Sequence, residues 1–271
     1  MQRRTDASTS FSQVHKTSAD DQNDPLMVHS VEKAFRVLTA FDTRHHTLSL
    51  SQLAVVTRLD KSAAQRFAHT LVRLGYLRKD PRTKHFELTP RTLTPAFHYI
   101  QSNALVQRAV PYLAQLSATT DEAANLTMMD GANIVYVARF TSRHAVTTQT
   151  TVGTLAPAYC SAPGLAMLSR LPPDEVEAIL DASTLCAYTP HTIWQRDEVS
   201  DRIRQTAERG YAICTGQILV TEVSVAAPVL DATGRAIGAV NLSVSKLRFD
   251  AAAADEKFAP LVCSTAQALS S

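Results

Sequence analysis

The segment Asp60–Gly75 constrains this chain more than any other, because both its ends and its two faces can be read from the residues. Asp60 is placed to cap a helix, and Gly75 sits where a left-handed residue would end one. Between them Ala64, Phe67, Ala68, Leu71 and Leu74 recur at three-and-four spacing, the mark of a stripe turned to a core. On a wheel of 100° per residue the other face gathers Ser62, Gln65, Arg66, His69 and Arg73, with Lys61 and Ala63 in the first turn. Such side chains can contact phosphates and base edges. An ordinary amphipathic helix with a solvated face gives the same pattern, so the flanking segments must decide.

Upstream, residues 30–41 read as a first helix with Ser30 as its cap and Val31, Ala34, Phe35, Leu38 and Phe41 as its apolar side. After a polar turn, Ser49 and Gln52 have capping-box spacing and open a short second helix carrying Leu50, Leu53 and Ala54, which ends near Thr57. Downstream, residues 76–79 and 85–89 read as strands about the turn Asp80-Pro81-Arg82-Thr83-Lys84, with Arg82 and Lys84 at the tip. Helix, turn, longer helix and hairpin together spell a winged helix-turn-helix. Its expected DNA-contacting set is Ser49, Gln52, Lys61, Ser62, Ala63, Gln65, Arg66, His69, Arg73, Arg82 and Lys84. Charge agrees: residues 26–100 carry 12 Lys and Arg against 5 Asp and Glu, whereas residues 101–271 carry 12 against 16. A basic front and an acidic rear suit a chain whose front alone meets phosphates.

With 271 residues a second domain is expected behind the first. The longest apolar run, near Val223–Leu230, is far short of the roughly 18 residues that span a bilayer. No membrane role and a cytoplasmic location are therefore expected. Residues 1–25 hold few large apolar side chains and read as a disordered tail, dispensable for folding. Cys160, Cys186, Cys214 and Cys263 are scattered and form no C-x-x-C pair, so neither a structural metal, a disulfide framework nor a cofactor is expected.

Residues 31–38 (VEKAFRVL), residues 71–77 (LVRLGYL) and Asp80-Pro81 resemble the IclR family of bacterial transcriptional regulators. The likeness resumes at Asp130-Gly131, at 134–139 (IVYVAR), at Val152-Gly153, at 161–171, at 209–212 (RGYA) and at 225–229 (VAAPV), and so covers nearly everything after residue 27. Residues 63–67 (AAQRF), 88–91 (LTPR) and 158–160 (AYC) are similar to the branch controlling protocatechuate, hydroxybenzoate and beta-ketoadipate catabolism.

The resemblance implies an α+β chain. It would comprise a tail at 1–25, a winged helix-turn-helix at 26–90, a linking helix at 91–104, and a GAF-like α/β effector-binding and oligomerising domain at 105–271. It implies double-stranded operator DNA and a small organic acid, aromatic acids among them, as partners, with a homodimer or homotetramer placing paired helices on half-sites. It places the sensing site at Tyr159, Cys160, Ser161, Ala162, Pro163 and Gly164, where a helix start offers amides, completed by Met128, Leu155, Cys214, Ser224, Asn241 and Ser243. No Arg or Lys lies in that set, so neutral donors would hold the acid. Plain core packing of Cys214 and Ser224 is the competing reading.

This chain departs from the family pattern at Pro163, which lacks an amide hydrogen, at Leu165 in place of a common lysine, and at residues 217–221 of the ligand loop. Lys84 stands where glycine is frequent, and Pro95 is expected to interrupt the linking helix. Two alternatives have no DNA role: a ligand-binding module, and a small enzyme with Cys160 or Ser161 as nucleophile. Against the enzyme, the chain has no G-x-S-x-G, P-loop, H-E-x-x-H or G-x-G-x-x-G motif.

Overall fold

A computed structural model describes residues 24–144 and 150–271, so the expected tail lies almost wholly outside the described residues. The chain divides into two units, Met1–Tyr99 and Ile100–Ser271.

In the first unit, helices α1 (His29–Leu38), α2 (Leu50–Thr57) and α3 (Lys61–Arg73) precede the hairpin β1 (Leu77–Lys79) and β2 (Phe86–Leu88). Leu77 faces Leu88 in the hairpin register, and Leu48 bridges to Phe86 as a short third strand. Val37, Leu48, Leu53, Ala68, Leu71, Leu77 and Phe86 form the core. The second and third helices start where their caps predict. Ser49 Oγ accepts from the Gln52 amide at 3.3 Å and Gln52 Oε1 accepts from the Ser49 amide at 2.9 Å. Asp60 Oδ1 accepts from the Ala63 amide at 2.8 Å, and Gly75 adopts φ +81° after α3.

The first helix differs from expectation. It begins at His29 after Val28, so Ser30 lies inside it, and it ends at Leu38, where the Thr39 amide returns to the Phe35 carbonyl at 2.9 Å. Its buried residue is Val37, whereas Val31 and Phe35 are 52% and 62% exposed. Periodicity located a helical stripe but could not say which stripe meets α3. Leu74, read as core, is likewise exposed. A 3-10 turn at Pro90–Thr92 leads into α4 (Leu93–Ser102), which Pro95 does not interrupt. Pro95 occupies the first turn, where its missing amide hydrogen costs no helical bond.

The second unit is built on a six-stranded antiparallel sheet of order β5-β4-β3-β8-β7-β6. Its strands are β3 (Ala123–Asp130), β4 (Asn133–Phe140), β5 (Leu155–Pro157), β6 (Ala212–Thr215), β7 (Glu222–Leu230) and β8 (Ala236–Ser245). The two longest show why the faces differ. Val223, Val225, Ala227, Val229, Val240, Leu242 and Val244 point to one side, where α5 (Ala104–Thr120) and α9 (Ala251–Leu269) pack. Ser224, Ala226, Ala239, Asn241 and Ser243 alternate with them and face the other side. That side is covered by α6 (Ala162–Leu168), with α7 (Pro173–Ala182) and α8 (Arg196–Arg209) behind it. Small and polar residues thus line the face beneath α6, and the helix packs closely on them.

Candidate DNA-binding surface and effector pocket

On α3 the side chains of Lys61, Ser62, Gln65, Arg66, His69 and Arg73 are exposed, opposite the buried Ala64, Ala68 and Leu71. Ala63 does not share the exposed face. It is 7% exposed, and its amide is taken by the Asp60 cap. Ser49 and Gln52 are committed to each other by the capping box, which sets the start of α2. At the wing tip Asp80 Oδ1 accepts from the Arg82 amide at 2.8 Å and the Thr83 amide at 2.6 Å. The bond from Thr83, then that from Arg82, holds the Asp80 carboxyl below its ordinary pKa. This fixes a tight turn whose last residue, Lys84, has φ +63°, the conformation that makes glycine frequent there. Arg82 and Lys84 remain exposed. Sequence reasoning passed over Arg58, an exposed basic residue at φ 55° in the turn between α2 and α3. Its only signal was a basic side chain in the turn itself.

In the second unit the helix start at Ser161 is packed shut. Tyr159, Cys160, Ser161 and Ala162 are at most 5% exposed, and Pro163 and Gly164 are buried with them. The Tyr159 hydroxyl donates to the Cys186 carbonyl at 2.6 Å and accepts from the Cys186 amide at 3.0 Å, pinning the loop. Of the three amides that open α6, Pro163 has none and that of Gly164 is taken by Ser161 Oγ at 3.2 Å. Gly164 also lies against the Ala158 backbone, so closely that a Cβ there would be 2.1 Å from the Ala158 oxygen. The geometry therefore does not support this turn as the anion holder. Nor does it make Cys160 a nucleophile, since burial pushes its thiol well above the ordinary range.

Two expected wall residues are on the wrong side of the sheet. Met128 pairs with Val135, and Val135 with Leu155; Met128 and Val135 pack toward α5 and α9, and directly opposed residues share a face. Its neighbour Met129 faces α6 instead. One residue along a strand reverses the side chain, so an offset of one is enough.

Cys214, Ser224, Asn241 and Ser243 do share the α6 face, and they join a polar row that the sequence did not reveal. Arg139 Nη1 donates to Asn125 Oδ1 at 2.8 Å, and Asn125 is the cross-strand partner of Asn241. Asn241 Nδ2 donates to Ser224 Oγ and to Ser243 Oγ, each at 3.2 Å, and Ser243 Oγ donates to Glu222 Oε1 at 3.4 Å. Arg202 of α8 donates to Cys214 Sγ at 3.2 Å and to the Ile213 carbonyl at 3.0 Å. Desolvation pushes the Glu222 carboxyl up to about 7, against the pull of Arg139. It holds Arg139 below its ordinary value, against Tyr136 and Glu222. A cavity of about 80 Å³ opens at one end of the row, where Ala123, Glu222 and Ser243 line it beside the Glu122–Arg248 ion pair.

Arg139 escaped notice because β3 and β4 change register between Leu126 and Thr127, with Val137 as the extra residue. The irregularity puts Tyr136 and Arg139, three apart, on one face, which plain alternation forbids. Gln217, in the loop that departs from the family pattern, donates to the His191 carbonyl at 2.6 Å and accepts from the Ile193 amide at 2.9 Å, tying residues 216–221 to residues 189–193.

Residues 30–81 match the profile of the IclR helix-turn-helix domain, and residues 97–271 match that of the bacterial transcriptional regulator IclR C-terminal domain. The chain belongs to the IclR family. These are transcriptional regulators, which removes the enzyme reading. The Pca regulon regulatory protein of Pseudomonas putida is 29% identical over 247 residues, 91% of this chain and 84% of that one. A crystal structure of a protein assigned as a transcriptional regulator from Rhodococcus sp. RHA1 is 33% identical, covers 90% of this chain and 97% of its own, and superposes with a TM-score of 0.77. An IclR homologue from Microbacterium hydrocarbonoxydans, crystallised with 4-hydroxybenzoate, is 20% identical over 90-odd per cent of its length (97%) and 89% of this chain, with a TM-score of 0.72. Among the described residues no helix is long and apolar enough to cross a membrane, and no group of three or more His, Cys, Asp and Glu could hold a metal ion.

Proposed function

We propose that this IclR-family regulator reads its operator through α3 and the wing, senses a small organic acid in its second unit, and controls the catabolism of such an acid, aromatic acids foremost. The observation that carries the DNA reading is the outer face of α3, where Gln65, Arg66, His69 and Arg73 are exposed on a helix fixed at its start by Asp60. Arg and Gln are the side chains that pair bidentately with guanine and adenine edges. The aromatic branch is supported by the Pca regulon protein of Pseudomonas putida and the 4-hydroxybenzoate complex of the Microbacterium homologue. A dimer or tetramer of this chain would set two copies of α3 on half-sites one helical turn apart.

The test is to map bound DNA genome-wide, then measure Gln65→Ala and Arg66→Ala on the recovered operator and on unrelated duplex. Each should lose about 1 to 3 kcal/mol on the operator and little on the unrelated DNA. Unchanged selectivity in both variants would remove α3 from base reading.

A further inference from the structure

We propose that Arg58, in the turn between α2 and α3, contacts a phosphate of the operator backbone and so seats α3 in the groove. This rests on the DNA reading given to the first unit above, and adds to it a contact outside the set that the sequence pointed to.

Three observations carry it. The first is conformational. Among the described residues three non-glycines have positive φ, and two of them, Arg58 at 55° and Lys84 at 63°, are exposed bases, one in the turn before α3 and one in the hairpin turn after it. The left-handed region is open to glycine and strains a long side chain, so a base held there points to a use for its head group. The second is that Arg58 has no work inside the unit. A base at the end of a helix often serves the last carbonyls, but here Arg36 Nη1 of α1 donates to the Thr57 carbonyl at 3.4 Å. The turn is closed by backbone alone, the Arg58 and Leu59 amides returning to the Val55 and Ala54 carbonyls at 3.2 and 3.1 Å. Among the described residues the Arg58 side chain makes no hydrogen bond or ion pair. The third is the placing of acid. Residues 26–100 hold 5 carboxylates. Glu32 pairs with Arg36 and Glu87 with Arg78, Asp42 is bonded to His45, Asp60 caps α3 and Asp80 holds the wing turn. Each is engaged elsewhere, and none meets Arg58.

The position fits a duplex. In a helix-turn-helix the first helix of the pair crosses the sugar-phosphate backbone, while the second enters the major groove by its N-terminal end. Arg58 closes the helix that crosses, and Asp60 and the exposed Lys61 open the helix that enters. A planar guanidinium meets a phosphate through two N–H donors, which fixes direction as well as charge. Such a contact carries no sequence information; it holds the register in which Gln65 and Arg66 can reach base edges.

Binding of the full-length protein to its mapped operator and to an unrelated duplex, each over a range of salt, tests this with Arg58→Gly, Arg58→Asn and Arg58→Lys. Glycine and asparagine keep the left-handed turn and remove the cation, whereas lysine keeps the cation. The Gly and Asn variants should bind both duplexes about 10-fold more weakly, with a slope of log K against log salt smaller in magnitude by about 1. Lysine should keep the wild-type slope and only part of the affinity, since it lacks the paired donors. Hydrogen exchange of the α2 and α3 amides should be as slow in Arg58→Gly as in wild type, or slower, which separates loss of a contact from loss of the fold. If Arg58→Gly opens the turn, the slopes of the Asn and Lys variants decide without it. A wild-type salt slope in a folded Gly or Asn variant, or equal slopes for Asn and Lys, would overturn the contact while leaving base reading by α3 to its own variants. Weakening on the operator alone would also overturn it, because a phosphate contact does not tell the two duplexes apart. Failure of wild type to bind either duplex would overturn the DNA reading and this contact together.

Discussion

Glu222 gives the second unit a pH-dependent stability whose size and sign follow from its surroundings. Its carboxyl is desolvated on the cavity wall and pushed up to about 7, with Arg139 and the Ser243 hydroxyl only partly compensating. Because the folded pKa is above the unfolded one, both states hold the proton below about pH 4.5, and the native fold suffers no penalty there. As pH rises from 4.5 toward 7 the unfolded chain releases the proton and the folded chain keeps it, so stability falls; above 7 the loss is complete. A displacement from 4.5 to about 7 corresponds to a ceiling of about 3 kcal/mol at 1.36 kcal/mol per unit. Water reaching this half-buried residue lowers it, so about 1 to 3 kcal/mol is expected. Glu222→Gln removes the titration. The chain has one tryptophan, Trp194, and it lies in the second unit, so its fluorescence reports that unit's unfolding in urea. Taking the difference between variant and wild type cancels every other titrating group. That difference should move in favour of the variant by about 1 to 3 kcal/mol between pH 4.5 and 8.5. A difference that stays flat over this range, or moves the other way, would refute the desolvated carboxyl.

Gly164→Ala should destabilise the second unit by about 3 kcal/mol or more, because the new Cβ would sit 2.1 Å from the Ala158 oxygen, which is backbone and cannot swing aside. An unchanged urea midpoint by Trp194 fluorescence would show that α6 can shift freely. Lys84→Gly should separate two roles at the wing tip. Relief of the left-handed backbone at φ +63° should leave the first unit as stable or up to about 1 kcal/mol more so. Loss of the ammonium should weaken specific and unrelated duplexes alike and reduce the salt slope by about 1; a salt slope equal to that of wild type would mean that Lys84 touches no phosphate.

What could be read from the residues was local. The Ser49–Gln52 box, the Asp60 cap, the left-handed Gly75 and the Asp80 turn are each decided within a few residues, and each appears where its side-chain chemistry puts it. With α3 bounded by such signals, the division of its outer and inner faces was also legible, except at Ala63, whose small side chain is turned inward, and at Leu74, which caps the helix and is exposed.

Tertiary structure decided what depends on a partner element. The sequence of α1 offers a bulky stripe at Val31 and Phe35, yet packing against α3 buries Val37, because the contact is set by the other helix. The turn at Ser161 looked open to an anion, and the contact of Gly164 with Ala158 closes it. Above all, the register change opposite Thr127 carries Arg139 onto the face of Asn241 and Ser243, while Met128 and Leu155 fall on the reverse. Strand periodicity reports faces only while every residue is paired. A single unpaired residue inverts the assignment for all that follow, and whether one is present is known only once the two strands lie side by side.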